Sequence, residues 1–175
     1  LNHTLEKMAN RLRQQLKKET DIETLLESHA DDRTQLRKRL VADLLAGRLE
    51  VQSADALKRT YHFDAGAAGY QLLLLKIDFD PDHFSDASLH IVQDKVLNLI
   101  APLLHATCAD AVCDFADASL TCFMNYAPER QEALRQQLRA ALNQLVAEKA
   151  LFGKLECSMA LGVMVSSPAM LAATL

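Results

Sequence analysis

The chain has 175 residues, half of them hydrophobic, and a formal net charge of −4. This length allows one sizeable hydrophobic core and an additional segment. The negative net charge argues against a nucleic-acid-binding surface, because neutralising phosphates requires clustered lysine and arginine. No apolar stretch is long enough to span a bilayer, and the charged N-terminal segment differs from a signal peptide, so we expect a cytoplasmic protein without membrane contact. The chain starts at Leu1 and ends soon after a helix begins, so we expect a fragment of a longer protein.

Residues 1–30 predict a coiled coil that dimerises the protein. They contain no Gly or Pro, and apolar residues recur at alternating four- and three-residue steps: Leu1, Leu5, Met8, Leu12, Ile22 and Leu26. Gln15 and Glu19 interrupt this series, and Leu16 suggests a stutter that lets the helix rotate locally. We expect a parallel homodimer through Leu5, Met8, Leu12, Ile22 and Leu26. The alternative is a helix that lies on its own domain.

Residues 33–175 form a second predicted domain, after the coiled-coil helix at 1–32. Its first helix has a wider apolar stripe suited to packing on a core: Leu36, Leu40, Val41, Leu44 and Leu45. Gly47 is placed to end this helix, and Ser53 to begin a short second one. Whether the first helix is continuous with the coiled coil stays open at this point.

The remaining elements alternate in a recognisable order. A strand at "GYQLLLLKIDF" precedes a helix that begins at Ser85 or Ser88 and continues to His105. Two strands, "CADAVCDFA" and "SLTCFMNYA", follow with a tight turn near Asp117. A helix from Pro128 to Phe152 then leads to a last strand, "KLECSMALGVMVSS". Strand, helix, strand, strand, helix, strand is the order of the ferredoxin-like βαββαβ arrangement, so we predict an α+β fold.

The usual catalytic and metal-binding patterns are missing from the sequence. No HExxH spacing, GxSxG elbow or glycine-rich phosphate loop occurs, so we predict no enzymatic activity, no catalytic residue, no metal and no cofactor. The four cysteines have no CxxC spacing: Cys108, Cys113, Cys122 and Cys157. All of them lie in apolar, strand-like segments, and we expect buried, reduced thiols, with a zinc or disulfide role as the less favoured alternative.

The segment "KIDFDPDHFSD" at residues 76–86 is the strongest candidate for a site. Carboxylates clustered after a strand are suited to holding Mg²⁺ against a nucleotide. The alternative is a solvent-facing turn in which Ser85 or Asp86 caps the next helix. In that case Lys76 or a neighbouring basic side chain neutralises part of the acidic cluster.

This segment resembles the Asp-x-Asp-x-Phe signature of GGDEF domains, which have the nucleotidyl cyclase fold. Asp78 and Asp80 match the carboxylates, and Phe84 matches the aromatic residue, with Pro81 and Asp82 as an insertion. The family's Gly-Gly-(Asp/Glu)-Glu-Phe turn falls at "DFADASL", which has no glycine, and its Arg-x-x-Asp motif is missing. The resemblance therefore implies a vestigial nucleotide and metal site at Asp78, Asp80 and Asp117.

The whole layout resembles the middle region of two-component response regulators that carry an AraC-type DNA-binding domain. The matching segments are the charged coiled coil, "RKRLVADLLAGRL", "YQLLLLKID" and the C-terminal "CSMALGVMVSSPAMLAATL". This resemblance implies a non-catalytic module for dimerisation and signal transmission in transcription regulation. A receiver domain would lie upstream and a helix-turn-helix domain downstream, so that this fragment makes no direct contact with nucleic acid. The alternatives are a small-ligand or nucleotide sensor and, third, an active diguanylate cyclase.

Overall fold

The computed structural model describes residues 2–49, 53–78, 86–147 and 156–172. Contacts between residues group the chain into two compact units, residues 1–36 and residues 37–175. The division into a dimerisation helix at 1–32 and a GGDEF-like domain at 33–175 stays a prediction.

Helix α1 spans Asn2–Leu45 without interruption, because no Gly or Pro occurs within it. In the first unit the hydroxyl groups of Thr24 and Thr34 donate to carbonyl oxygens one turn earlier. Leu26, one of the predicted seam residues, is 63% exposed. The side chains of four others, Leu5, Met8, Leu12 and Ile22, lie outside the described residues, so the dimer also stays a prediction.

The second unit is an α+β structure with one antiparallel sheet, which confirms the α+β class; the finer ferredoxin-like topology stays a prediction. Its strands are β1 (Gly69–Asp78), β2 (Asp110–Ala116), β3 (Ser119–Tyr126) and β4 (Glu156–Leu161). Their order across the sheet is β2–β3–β1–β4, and all neighbours are antiparallel. The helices are α2 (Ala54–Tyr61), α3 (Asp86–Thr107), α4 (Gln131–Ala147) and α5 (Pro168–Ala172), and a 3₁₀ turn (Pro128–Arg130) precedes α4.

Two local predictions about helix ends are confirmed. The hydroxyl of Ser53 accepts a hydrogen bond from the Ala56 backbone N–H at 3.3 Å and so caps α2. Gly47 follows α1 with a φ of 65°, a backbone conformation that glycine adopts without steric cost.

The last strand is shorter than predicted. Tyr70 and Val165 exchange two backbone hydrogen bonds, and the Gly162 N–H donates to the Leu72 carbonyl. Residues 162–165 therefore contain one residue more than the facing residues 70–72, which interrupts the regular ladder after Leu161. The predicted helix end at Phe152 lies outside the described residues.

The sheet separates two hydrophobic clusters, because successive side chains of a strand point to opposite faces. On one face Leu73, Leu75 and Ile77 of β1 pack with α3 and α4. On the other face, Tyr70 and Leu72 pack with residues from the end of α1, from α2 and from α5. Three side chains from the end of α1 are buried in this second cluster: Leu40, Val41 and Leu44.

The expectation of four reduced thiols is wrong for two cysteines. Cys113 of β2 lies directly opposite Cys122 of β3, and the two are joined in a disulfide. The pairing follows from the register, since side chains that face each other across an antiparallel pair lie on the same side of the sheet. Cys108 and Cys157 are free thiols, and both are half-buried.

Candidate functional site

Two of the three carboxylate residues suggested by the sequence, Asp78 and Asp117, lie at the same end of the sheet. Asp78 ends β1, Glu156 begins β4, and the two lie opposite each other. Asp117 lies in the turn between β2 and β3, next to Ala118, whose carbonyl accepts from the Ile77 N–H at 2.9 Å. Asp78 and Asp117 thus belong to the same end of neighbouring strands. Asp80, the third predicted residue, lies outside the described residues.

Lys76 partly neutralises this acidic end. Its Nζ lies 2.6 Å from Oδ1 of Asp78, with the two side chains 64% and 47% exposed. An exposed pair of this kind contributes only about 0–1 kcal/mol to stability. It does, however, place a positive charge beside the carboxylate that the GGDEF resemblance assigns to metal binding. Among the described residues, no group of three or more His, Cys, Asp or Glu side chains is arranged to hold a metal ion.

The turn between β2 and β3 is engaged in contacts with α3. Asp117 has a φ of 52°, in the left-handed region that aspartate tolerates better than most residues. Its carbonyl oxygen accepts a hydrogen bond of 2.6 Å from Nε2 of Gln93, and Oε1 of Gln93 lies 3.0 Å from Nδ1 of His90. The side chain of Gln93 therefore bonds to the backbone at the turn where the GGDEF resemblance would place paired glycines.

An open groove lies on the sheet around the exposed residues Leu74 and Lys76. It has a volume of about 350 Å³, and its lining includes Leu74, Lys76, Ser119, Ser158 and Ala160. Leu74 and Lys76 follow Leu72 on the same face of β1, but unlike Leu72 they are exposed. The groove is therefore an open surface whose lining combines apolar residues with two serines and one cation.

A more extensive set of contacts lies where α1 enters the second unit. The guanidinium of Arg37 donates to both carboxylate oxygens of Asp110, at 2.8 and 2.6 Å, and to the carbonyls of His62 and Ala111. The carboxylate of Asp110 also accepts from the backbone N–H groups of Asp64 and Ala111, each at 2.8 Å. We refer to Arg37, Asp110 and these main-chain groups as the Arg37–Asp110 cluster.

The Arg37–Asp110 cluster is largely shielded from solvent, with 17% of the Arg37 side chain and 13% of the Asp110 side chain exposed. Burial by itself raises the pKa of Asp110, but the hydrogen bonds from Arg37 and from the Asp64 and Ala111 N–H groups, together with the positive charge, outweigh it. The net result is a pKa below the usual value of an aspartate. Because the guanidinium bonds to both carboxylate oxygens, the distance and the relative orientation of the two groups are both fixed.

The cluster adjoins the second hydrophobic cluster. The guanidinium carbon of Arg37 lies 5.9 Å from the centre of the Phe63 ring, and Phe63 packs edge-on against Phe123 of β3 at 4.7 Å. Both phenylalanines are fully buried. A cation over an aromatic face adds attraction to that of the ion pair. Arg37 is thereby positioned by α1, by the segment after α2 and by the sheet at once.

A second ionic group fixes the end of α1. Asp43 is buried, and its Oδ2 accepts from the Tyr61 hydroxyl at 3.0 Å and lies 3.3 Å from Nε of Arg39. Its Oδ1 lies 3.5 Å from a guanidinium nitrogen of Arg48. Lys38 reaches Asp114 of β2 at a looser 3.6 Å. The last turns of α1 are thus fastened both to α2 and to β2.

Sequence reasoning identified the acidic end but missed Arg37 and Asp110. Both residues lie in segments interpreted as helix and strand, and they are 73 positions apart. A usable signal was the position of Asp110 as a single charge within the apolar "CADAVC". A charged residue in a strand of this kind requires a partner.

No helix in the described ranges, from residue 2 to 172 with their gaps, could cross a membrane. Comparison of the sequence with models of known protein families finds no match, and comparison with curated proteins finds none either.

Proposed function

We propose that the chain is a non-catalytic module for dimerisation and signal transmission in a cytoplasmic two-component transcriptional regulator of the AraC type. The observation that carries this proposal is the incorporation of the end of α1 into the globular core. Leu40 and Leu44 are fully buried there, and Arg37 makes four hydrogen bonds at the point of entry. A helix fixed in this way cannot rotate or shift without moving the groups that it contacts.

The strand order supports a degenerate GGDEF-like domain of ferredoxin-like topology. The order β2–β3–β1–β4, with helices α3 and α4 in the β1–β2 and β3–β4 connections, is compatible with the βαββαβ arrangement. Fold similarity alone does not assign a function. The proposal of transmission depends on α1 and not on the fold.

A stuttered coiled coil gives the proposed signal a physical form. Coiled coils with interrupted heptads can change rotation or separation at small cost, because few seam contacts are lost. A change of this kind, imposed by a receiver domain upstream, would reach the second unit through Arg37 and the buried leucines. If the sheet has two alternative conformations, a shift in their populations would then be passed to a DNA-binding domain downstream.

The geometry of the acidic end supports the absence of catalysis. Cyclase chemistry requires close approach of a nucleotide to the turn backbone, which paired glycines permit and a Cβ obstructs. Here Asp117 and Ala118 form the turn, and the side chain of Gln93 donates a hydrogen bond to the Asp117 carbonyl. Lys76 in turn forms an ion pair with one carboxylate oxygen of Asp78.

A small-ligand or nucleotide sensor is the second candidate, and the groove beside Lys76 is the observation that favours it. Lys76 could contact a phosphate of a bound nucleotide if its bond to Asp78 opened. Melting temperature measured with and without nucleotides and Mg²⁺ separates the candidates, since any ligand that binds the native state raises it. The transmission module predicts no shift, and a shift lost in Lys76→Ala would favour the sensor.

Transmission is tested by comparing dimeric and monomeric protein. We expect the unaltered chain to sediment as a dimer and Leu12→Asp as a monomer, because a charge in the seam opposes association. Hydrogen exchange of the backbone amides of β2 should then be faster in the monomer, since β2 carries the partners of Arg37. The matched control is Thr24→Ala, an exposed position on the same helix but outside the seam.

Each part of the proposal has its own contrary outcome. Sedimentation of the unaltered chain as a monomer would contradict dimerisation. A monomeric Leu12→Asp variant with unchanged exchange throughout β2 would contradict transmission while leaving dimerisation intact. A response to Thr24→Ala as large as that to Leu12→Asp would show that the readout is not specific for the seam.

A further inference from the structure

Strand β2 is an edge strand of the sheet and is the strand that receives α1. Within the described residues it pairs only with β3. It supplies Asp110 and the Ala111 carbonyl to Arg37, and Asp114 to Lys38. The attachment of β2 to β3 therefore contributes to how firmly these partners are held, together with the packing of Ala111 and Val112.

Cys113 and Cys122 provide a covalent attachment at the middle of this strand pair. They are register partners, with Cα atoms 4.1 Å apart. Cys122 is fully buried, whereas Cys113 is half-buried. Cys113 is thus the more exposed residue of the pair, and we expect a dissolved thiol or disulfide to react there first.

The other two cysteines lack this arrangement. Cys157 lies opposite Ile77, and Cys108 lies before the start of β2. Burial, with a smaller effect of Asp110, raises the pKa of Cys108 to about 12, and burial also raises the pKa of Cys157. Both thiols are therefore protonated at neutral pH, and a protonated thiol is a poor nucleophile.

We propose that Cys113 and Cys122 form a reversible dithiol–disulfide pair, whose oxidation fastens edge strand β2 to β3 and thereby stabilises the Arg37–Asp110 cluster. This inference goes beyond the proposed function, because it requires neither dimerisation nor a receiver domain. The disulfide links residues that the hairpin already brings together along the whole β2–β3 ladder. The reduced protein therefore keeps the same fold, as a reversible device requires.

The oxidant is a low-molecular-weight disulfide such as oxidised glutathione. The thiolate of Cys113 attacks one sulfur of glutathione disulfide, which forms a mixed disulfide and releases one glutathione thiolate. The sulfur of Cys122, after losing its proton, attacks the Cys113 sulfur and releases the second glutathione thiolate. One disulfide is broken, one is formed, and the two protons of the cysteines pass to the two glutathione molecules. Reduction follows the same steps in reverse.

The test uses the double variant Cys108→Ser/Cys157→Ser, which leaves only the pair. The folded protein is equilibrated with oxidised or reduced glutathione, trapped with N-ethylmaleimide and weighed by mass spectrometry. We expect no adduct after oxidation, two adducts after reduction and the same circular dichroism spectrum in both states. We also expect the amides of β2 to exchange about tenfold faster in the reduced state, with those of β1 unchanged.

The matched variant Cys113→Ser, on the same background, should exchange like the reduced protein in both glutathione buffers. Three results would overturn the proposal: two adducts in oxidised glutathione, a disulfide that native protein cannot form or lose, or β2 exchange that is equal in both states. A response of Cys113→Ser to the glutathione buffer would do the same, because that variant cannot form the bond.

Discussion

Replacing Asp110 with asparagine removes the negative charge of the Arg37–Asp110 cluster but keeps the size of the side chain. Each oxygen of the native carboxylate accepts two hydrogen bonds, one from Arg37 and one from a backbone N–H. In either orientation of the amide, an NH₂ group replaces one oxygen and faces two donors. The variant therefore loses two charge-assisted hydrogen bonds and leaves Arg37 without its counter-charge.

The expected cost follows from these contacts. Two hydrogen bonds to a charged group contribute about 3–6 kcal/mol, and removal of one partner of a buried ion pair costs about 3–5 kcal/mol. Because both side chains keep some solvent exposure, we take the lower end and expect the free energy of unfolding to fall by about 3 kcal/mol. For a chain of this size, the melting temperature should fall by about 9 °C.

Urea unfolding followed by circular dichroism measures this difference, and its pH dependence provides a second check. The pKa of Asp110 is lowered in the folded state, so its contribution is complete above the unfolded-state pKa of about 3.9. The contribution is lost as the pH falls through the lower folded-state pKa. The difference between Asp110→Asn and the unaltered chain should thus be largest at neutral pH and shrink in acid.

Asp114→Asn is the control, since Asp114 lies on the same strand but pairs with Lys38 at 3.6 Å, with 49% of the lysine and 30% of the aspartate side chain exposed. Asp114→Asn should lower the free energy of unfolding by less than about 1 kcal/mol. Equal effects of the two substitutions, or an Asp110→Asn effect that persists undiminished in strong acid, would refute the reasoning.

Three further predictions concern the core, the acidic end and the thiols. Leu44→Ala should lower the free energy of unfolding by about 3 kcal/mol and Leu45→Ala by far less in urea titrations, because Leu44 is fully buried and Leu45 is 45% exposed; similar effects would contradict the described packing. Purified protein with GTP and Mg²⁺ should form no cyclic di-GMP by chromatography, and turnover abolished by Asp78→Ala would revive the cyclase. At pH 8, Cys108 and Cys157 should react with iodoacetamide far more slowly in native than in unfolded protein, because burial raises both pKa values; equal rates would contradict that burial.

The parts of the fold that the sequence predicts are those determined by local patterns. The α+β class follows from alternating strand and helix segments, and the ends of α1 and α2 follow from Gly47 and Ser53. Each of these features depends on residues close together in the chain. The exact end of β4 depends instead on the backbone hydrogen bonds that residues 162–165 form with residues 70–72. The apolar pattern of the strand gives no information about these bonds.

The candidate site was only partly predictable for the same reason. Asp78 and Asp117 were found through a motif resemblance, and the structure adds the bonds from Lys76 and Gln93 to this end of the sheet. The Arg37–Asp110 pair and the Cys113–Cys122 disulfide require knowledge of which strand lies beside which. Sequence spacing alone does not supply strand register, although register decides which side chains meet.

The Arg37–Asp110 cluster has a consequence for how sequences with this fold can vary. Apart from two side chains, its members are main-chain groups: the carbonyls of His62 and Ala111 and the N–H groups of Asp64 and Ala111. Backbone groups are present whatever side chain a position carries, with proline the exception for an N–H. Substitutions at 62, 64 and 111 therefore leave these hydrogen bonds in place, apart from proline at 64 or 111, although the φ of 52° at His62 disfavours β-branched residues there. Positions 37 and 110, by contrast, are coupled through their side chains. Two relatives could differ almost everywhere around this cluster and still attach the helix to the sheet through the same arginine and aspartate.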